Sequence, residues 1–161
     1  LIDPAARGDA RAAWLRLVAF GAAGAAADLD LLVAAHRGPS HALCAALVVG
    51  LGVWAYGAAA RSGDAAHVRR LAVAVGLAYA SHTLLDWLGR DTSPPLGIMA
   101  LWPFDRGYHE SPLHLFFPIS RRYRLREFWI GNLAALAREL EILLPIAALV
   151  ALLRRRPPAG A

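Results

Sequence analysis

From Ala42 to Ala60 the chain runs for 19 residues without a charged side chain. At about 1.5 Å of rise per residue, a helix of that length roughly matches the 30 Å hydrocarbon core of a bilayer. Composition extends the point to the whole chain. Of 161 residues, 58% are hydrophobic and 18% charged, whereas soluble domains average about 45–50% apolar and about 25% charged. The chain is too apolar for an ordinary soluble domain of its size, and the same excess excludes intrinsic disorder. One membrane-embedded domain spanning 1–161 is expected.

Three further segments join the first. Leu71–Leu88 is apolar except for Ser81, His82, Thr83 and Asp86 near its end. Phe128–Leu153 is the longest, interrupted by Arg138, Glu139 and Glu141, with Pro145 expected to kink it. Ala12–Ala27 is a short, Gly-rich fourth. Long Ala/Leu runs without period-two alternation favour helix over strand. The expected fold is all-α, an integral membrane bundle of three to four transmembrane helices.

The connectors differ in character. Arg61–Arg70 is short and polar. Gly89–Glu127, between the last two spans, is a long loop rich in Pro, His, Arg and aromatic residues. Loops of that length are functional or disordered, and the aromatic content argues for order, as a lid or short helices on the membrane surface. Trp102-Pro103-Phe104 reads as an interfacial anchor. Arg154–Ala161 is a basic tail. Arginines occupy both sets of loops, so the positive-inside rule leaves orientation open.

The net charge is +5, and all 17 basic residues are Arg. They flank apolar runs rather than forming one stripe, which fits membrane insertion and makes nucleic-acid binding an unexpected function. A single cysteine, Cys44, excludes an internal disulfide and a multi-Cys zinc site. The chain starts at Leu1 and its one methionine is Met99, so a processed or missing start is expected. The basic-then-apolar opening up to Ala27 reads as a signal peptide or a retained helix. The retained helix is the expectation, because Asp28 and Asp30 follow as parts of a site.

Ionisable residues sit where a membrane protein should avoid them: Asp28 and Asp30, His36 and His41, His82 and Asp86, Glu139 and Glu141. If 42–60 and 71–88 are antiparallel neighbours, His36, His41, His82 and Asp86 fall at one membrane face. His82 and Asp86, four apart, share a helix face. His36 and His41 cannot share one, but Gly38-Pro39 demands a turn that can fold both imidazoles toward one ion. Ser40 is expected to cap the helix that follows. An extended Asp28-Leu29-Asp30 would aim both carboxylates the same way. Carboxylates with imidazoles suit a divalent metal, zinc first, with manganese or iron as alternatives. Six potential ligands can hold one or two ions, and paired ions suit phosphoester hydrolysis. Glu139 is a candidate base, ligand or partner of Arg138. In the long loop, Asp91, His109, Glu110 and His114 read as solvated residues that can extend the site.

In the order Asp28-Leu-Asp30, His36-Arg-Gly-Pro-Ser-His41, Ser81-His-Thr-Leu-Leu-Asp-Trp87 and Trp102-Pro-Phe104, these motifs resemble the YdjM-like family of inner-membrane proteins regarded as metal-dependent hydrolases. The resemblance runs from about Asp28 to Pro145. It implies a small multi-pass protein of the bacterial inner membrane with an acid/His metal site. It also implies affinity with the all-helical zinc phospholipase C group and hence a phosphoester substrate. Carried over by motif, Asp28, Asp30, His36, His41, His82 and Asp86 are the metal candidates. Asp91, Trp102-Pro103-Phe104 and Glu139 match more loosely. Family members begin with a further helix bearing an early His, which nothing before Asp28 supplies here.

The expected function is hydrolysis of a phosphoester, lipid or lipid-linked, by a protein whose first partner is the bilayer. Asp30 or Glu139 takes a proton, and Arg37 or the loop arginines Arg121, Arg122, Arg124 and Arg126 hold phosphate. The alternative is a non-enzymatic membrane protein that binds metal or a regulatory partner. Haem binding through His41 and His82 ranks lower, because neighbouring carboxylates suit harder ions. A proton-coupled transporter also ranks lower, for want of spans and of an inverted repeat. Oligomeric state is left open.

Overall fold

The computed structural model describes residues 4–33, 36–61, 63–92, 94–120 and 122–154. Its elements are helical throughout: α1 (Pro4–Ala25), α2 (Leu43–Ala59), α3 (Ala65–Leu88) and α4 (Arg126–Arg154), with 3-10 helices at Ala26–Val33 and Pro39–His41. Among the described residues the only extended pairings are two isolated bridges, Gly89 with Phe116 and Ile98 with His109.

Helix α3 is central, packing along α2 and against α1. The short link after α2 folds the two helices back on each other as an antiparallel hairpin. Small residues allow close approach: a Cβ on Gly50 would lie 3.2 Å from the Ala72 carbonyl oxygen, and one on Gly76 3.3 Å from that of Ala46. Small-residue crossings are the usual solution where lipid supplies no hydrophobic drive for helix association. The buried core is correspondingly small-sided, with Ala27, Ala46 and Tyr79 at its centre. Large apolar side chains point outward instead. Leu47, Val48, Trp54, Leu77, Trp129, Leu133 and Leu144 are each more than half exposed, a surface that needs an apolar surrounding.

Helix α3 begins at Ala65, earlier than the expected Leu71, because Asp64 caps it by accepting the His67 N–H at 2.7 Å. That hydrogen bond holds the Asp64 carboxyl below the usual range. Helix α1 starts at Pro4 rather than Ala12, and α4 continues through Pro145. Of the described helices, α3 alone is long and apolar enough to cross a membrane, while α2 is apolar over 17 residues.

The long loop forms no helix in its described part, contrary to one expectation. It is ordered by closing over helix ends. Ser111 N–H donates to Trp87 O at 2.9 Å and Leu115 N–H to Leu88 O at 2.8 Å, satisfying carbonyls that the last turn of α3 leaves open. Met99 N–H donates to Arg37 O at 3.1 Å, and Leu43 N–H to Ala100 O at 3.0 Å. Helix α4 is tied in chiefly through this loop. Asn132 brackets Ser120 with two hydrogen bonds of 2.8 and 3.0 Å, and Arg138 Nε donates to Leu115 O at 3.2 Å.

Candidate metal centre

Three segments converge where α3 ends: the 3-10 helix Ala26–Val33, the turn from His36 to His41, and the last turns of α3. Two donor groups result, Asp28, Asp30, His36 and His41 in one, and His41, His82 and Asp86 in the other. In each, one oxygen or nitrogen per residue lies within 4.8 Å of all the others. His41 belongs to both and is fully buried. All six expected ligands therefore meet.

The local conformations differ from expectation. Asp28 and Asp30 lie on a 3-10 helix, not an extended strand. Ser40 does not cap α2, whose N-cap is Ala42 without a side-chain bond. Its hydroxyl donates to Asp30 Oδ2 at 2.6 Å instead. The turn itself is made at Arg37, which takes φ +67°. That left-handed conformation is costly for a residue with a Cβ. It is held on both sides, by Arg37 N–H donating 3.0 Å to Asp30 Oδ2 and by Arg37 O accepting from Met99.

Asp30 organises the imidazoles. Its side chain is 8% exposed, and it accepts from Ser40, from Arg37 N–H and from His36 Nδ1 at 2.9 Å. Burial alone would raise its pKa. The hydrogen bonds from Ser40 and His36 outweigh burial and hold the carboxyl below the usual range.

Proton accounting then fixes the tautomer of His41. Ser40 has one hydroxyl proton, and it goes to Asp30. The 3.1 Å contact between Ser40 Oγ and His41 Nδ1 must use the Nδ1–H of the ring as donor. In the neutral imidazole this leaves a lone pair on Nε2. That nitrogen lies 3.1 Å from Asp86 Oδ2 and 3.5 Å from Asp28 Oδ1. His82 Nε2 lies 3.4 and 3.5 Å from the same two oxygens. Both nitrogens are buried without a hydrogen-bond partner. Two buried, unpartnered imidazole nitrogens converging on two carboxylate oxygens make a donor set that fits a divalent metal ion.

Beside the centre opens a cleft of about 340 Å³. It is lined by the polar residues Asp28, His36, Arg37, Asp86, Arg90 and Glu139 and by the apolar Leu31, Leu85, Phe116, Phe117 and Ile119. Glu139 faces this cleft rather than pairing with Arg138, which turns to Leu115 O and to Glu141 at 3.5 Å. Glu141 is exposed. Of the loop arginines, Arg122, Arg124 and Arg126 are exposed and none of them lines the cleft; Arg121 lies outside the described residues.

Sequence reasoning passed over Arg90 and gave Ser40 and Asp91 other roles. Arg90 follows Asp86 by four residues, and that spacing was the one available signal. Asp91, expected in solvent, has a side chain only 8% exposed. It pairs with Arg37 and accepts the Gly97 N–H at 2.7 Å, while its own N–H donates to Glu110. His109 and His114 stay outside the centre, paired with Asp105 and Glu110.

No curated protein and no solved structure matches the chain. A family model described as YdjM inner membrane protein matches residues 2–156. That span covers the turn, the hairpin, the loop and α4 together, and the chain belongs to the YdjM inner membrane protein family.

Proposed function

We propose that this chain is a multi-pass, metal-dependent hydrolase of phosphoesters. The observation that carries the reading is the pair of buried, unpartnered Nε2 atoms of His41 and His82, each within 3.5 Å of Asp28 and Asp86 oxygens. Tetrahedral zinc, with bonds of about 2.0–2.1 Å, spaces its donors about 3.3 Å apart. The four imidazole–carboxylate separations here run from 3.1 to 3.5 Å, compatible with zinc and equally with manganese or iron.

In this reading Asp28, His41, His82 and Asp86 hold the ion. Asp30 is a positioning residue, since its hydrogen bonds to Ser40 and His36 orient the imidazoles, as carboxylates behind metal-bound histidines do. A bound divalent cation supplies an activated water and charge stabilisation for phosphoryl transfer. Glu139, lining the cleft, would be the carboxylate placed to accept a proton from an attacking water. Arg37, paired with Asp91, adds positive charge to the cleft lining without being free to grip the phosphoryl oxygens.

Membrane crossing by more than α3 rests on the hairpin. Helix α2 pairs antiparallel with α3, and the charge-free run around it extends to Ala42 and Ala60. Outward-facing Trp129, Leu133 and Leu144 make α4 a third lipid-facing helix.

The test is metal analysis of the purified protein beside His41→Ala and His82→Ala, with a metal-dependent phosphomonoesterase assay. Stoichiometric metal in the wild type, absent from both variants, with hydrolysis lost in parallel, is the expected result. Metal without hydrolysis of any phosphoester would leave a metal-binding membrane protein and end the enzymatic reading.

A further inference from the structure

The cleft beside the Asp/His centre is lined by both charged and apolar side chains, and its position at the end of α3 gives that mixture a meaning. The apolar span of α3 ends at Leu88. Arg90 stands two residues beyond, where a bilayer gives way to headgroups and water. Its backbone N–H is fixed to Phe116 O at 3.1 Å. Its side chain is exposed, lines the cleft, and forms no ion pair among the described residues. Arg37, by contrast, is committed to Asp91. The cleft thus holds a guanidinium available for a planar, two-point grip on an oxyanion.

The apolar part of the lining is not core. Phe117 is 51% exposed and Ile119 63%, while Phe116 beside them is buried. Apolar lining next to a guanidinium suits a hydrocarbon chain attached to an anion better than a bare anion.

We infer that the cleft takes an amphiphile bearing one terminal phosphate. Its headgroup lies between the Asp/His centre and Arg90, and its hydrocarbon chain runs along Phe116, Phe117 and Ile119. The inference rests on the metal-centre reading above and narrows its substrate to lipid phosphates. Arg90 is the residue that recognises the phosphate, and the Phe116–Ile119 wall selects the chain.

Binding tests this separately from hydrolysis. The zinc-loaded full chain in phosphatidylcholine nanodiscs is titrated with dodecylphosphonate and methylphosphonate, with empty nanodiscs as the partition control. Dodecylphosphonate should bind at least about tenfold more tightly. Arg90→Ala should weaken both ligands about tenfold or more, as expected for charged hydrogen bonds, with metal content unchanged, and Arg90→Lys should recover part of the loss. Phe117→Ala should lower the ratio of long-chain to short-chain affinity. Equal binding of the two phosphonates, or no binding of either, overturns the proposal. So does an Arg90→Ala variant that keeps its metal and wild-type affinity. Chain-dependent binding without hydrolysis of dodecyl phosphate would uphold the amphiphile site and sink the hydrolase reading instead.

Discussion

The two ends of α3 carry the same residue types and use them differently. At the N-terminal end Asp64 and His67 stand three apart, both exposed, and their interaction is a backbone cap. At the C-terminal end His82 and Asp86 stand four apart, facing His41 and Asp28 from other segments. What separates a cap from a metal centre is what packs opposite. The first end meets a short link. The second meets the 3-10 helix, the left-handed turn and a loop hydrogen-bonded to its last carbonyls.

The largest effect should come from the crowded end. His82→Ala and Asp86→Ala should each abolish stoichiometric metal and lower metal-dependent activity by more than about 100-fold, since even outer partners of a metal site cost 10–100-fold. Metal-to-protein ratios after gel filtration check this. His67→Ala at the other end should retain its full metal; loss there would erase the contrast between the ends.

Asp30→Asn comes next. The amide keeps the shape but gives the Ser40, Arg37 and His36 donors a poorer acceptor, so metal affinity should fall about 10–100-fold, read by competition with a chromogenic chelator. Wild-type affinity would mean that Asp30 does not orient the imidazoles.

The hairpin that gathers the site was readable from sequence, because 42–60 and 71–88 are long apolar runs joined by a short polar link. Once antiparallel, they bring His41 to Asp86. The six ligand candidates were readable for the same reason, as polar residues at the ends of apolar segments. The conformations behind them were not. Ser40 before a helix looks like an N-cap, and nothing local says that Asp30, ten residues back, takes its hydroxyl instead. The buried position of Asp91 depends on residues 37, 97 and 110, contacts made by loop closure that leave no periodic trace. Arg90 was missed because its one signal, the four-residue spacing from Asp86, runs past the end of the helix and is too common to single it out.

Gly97 tests whether that loop closure matters. It sits at φ +86°, and a Cβ there would run into the His109 backbone. Gly97→Ala should destabilise the protein by about 1–3 kcal/mol, measured by thermal unfolding, and should weaken metal retention through Asp91 and Arg37. A variant less stable yet fully metal-loaded would separate the loop from the centre.

The smallest effect belongs to the simple end. Asp64→Ala should lower the unfolding temperature slightly at neutral pH and leave metal content intact. The carboxyl of Asp64 is held below its unfolded value. Its contribution is therefore present above about pH 4 and disappears as the pH falls through the lower folded value. A difference between variant and wild type that persists in strong acid would assign the effect to something other than the cap.

The distribution of the donors along the chain also bears on how the protein is made. Asp28 and His41 leave the ribosome before α2 and most of α3, which carries His82 and Asp86, so the donor set cannot exist while α2 is being made. It assembles when α3 has come back along α2 and its end has met the earlier segments. A cation held there would act as a latch on the finished hairpin, tying the first-made part of the chain to the last turn of α3.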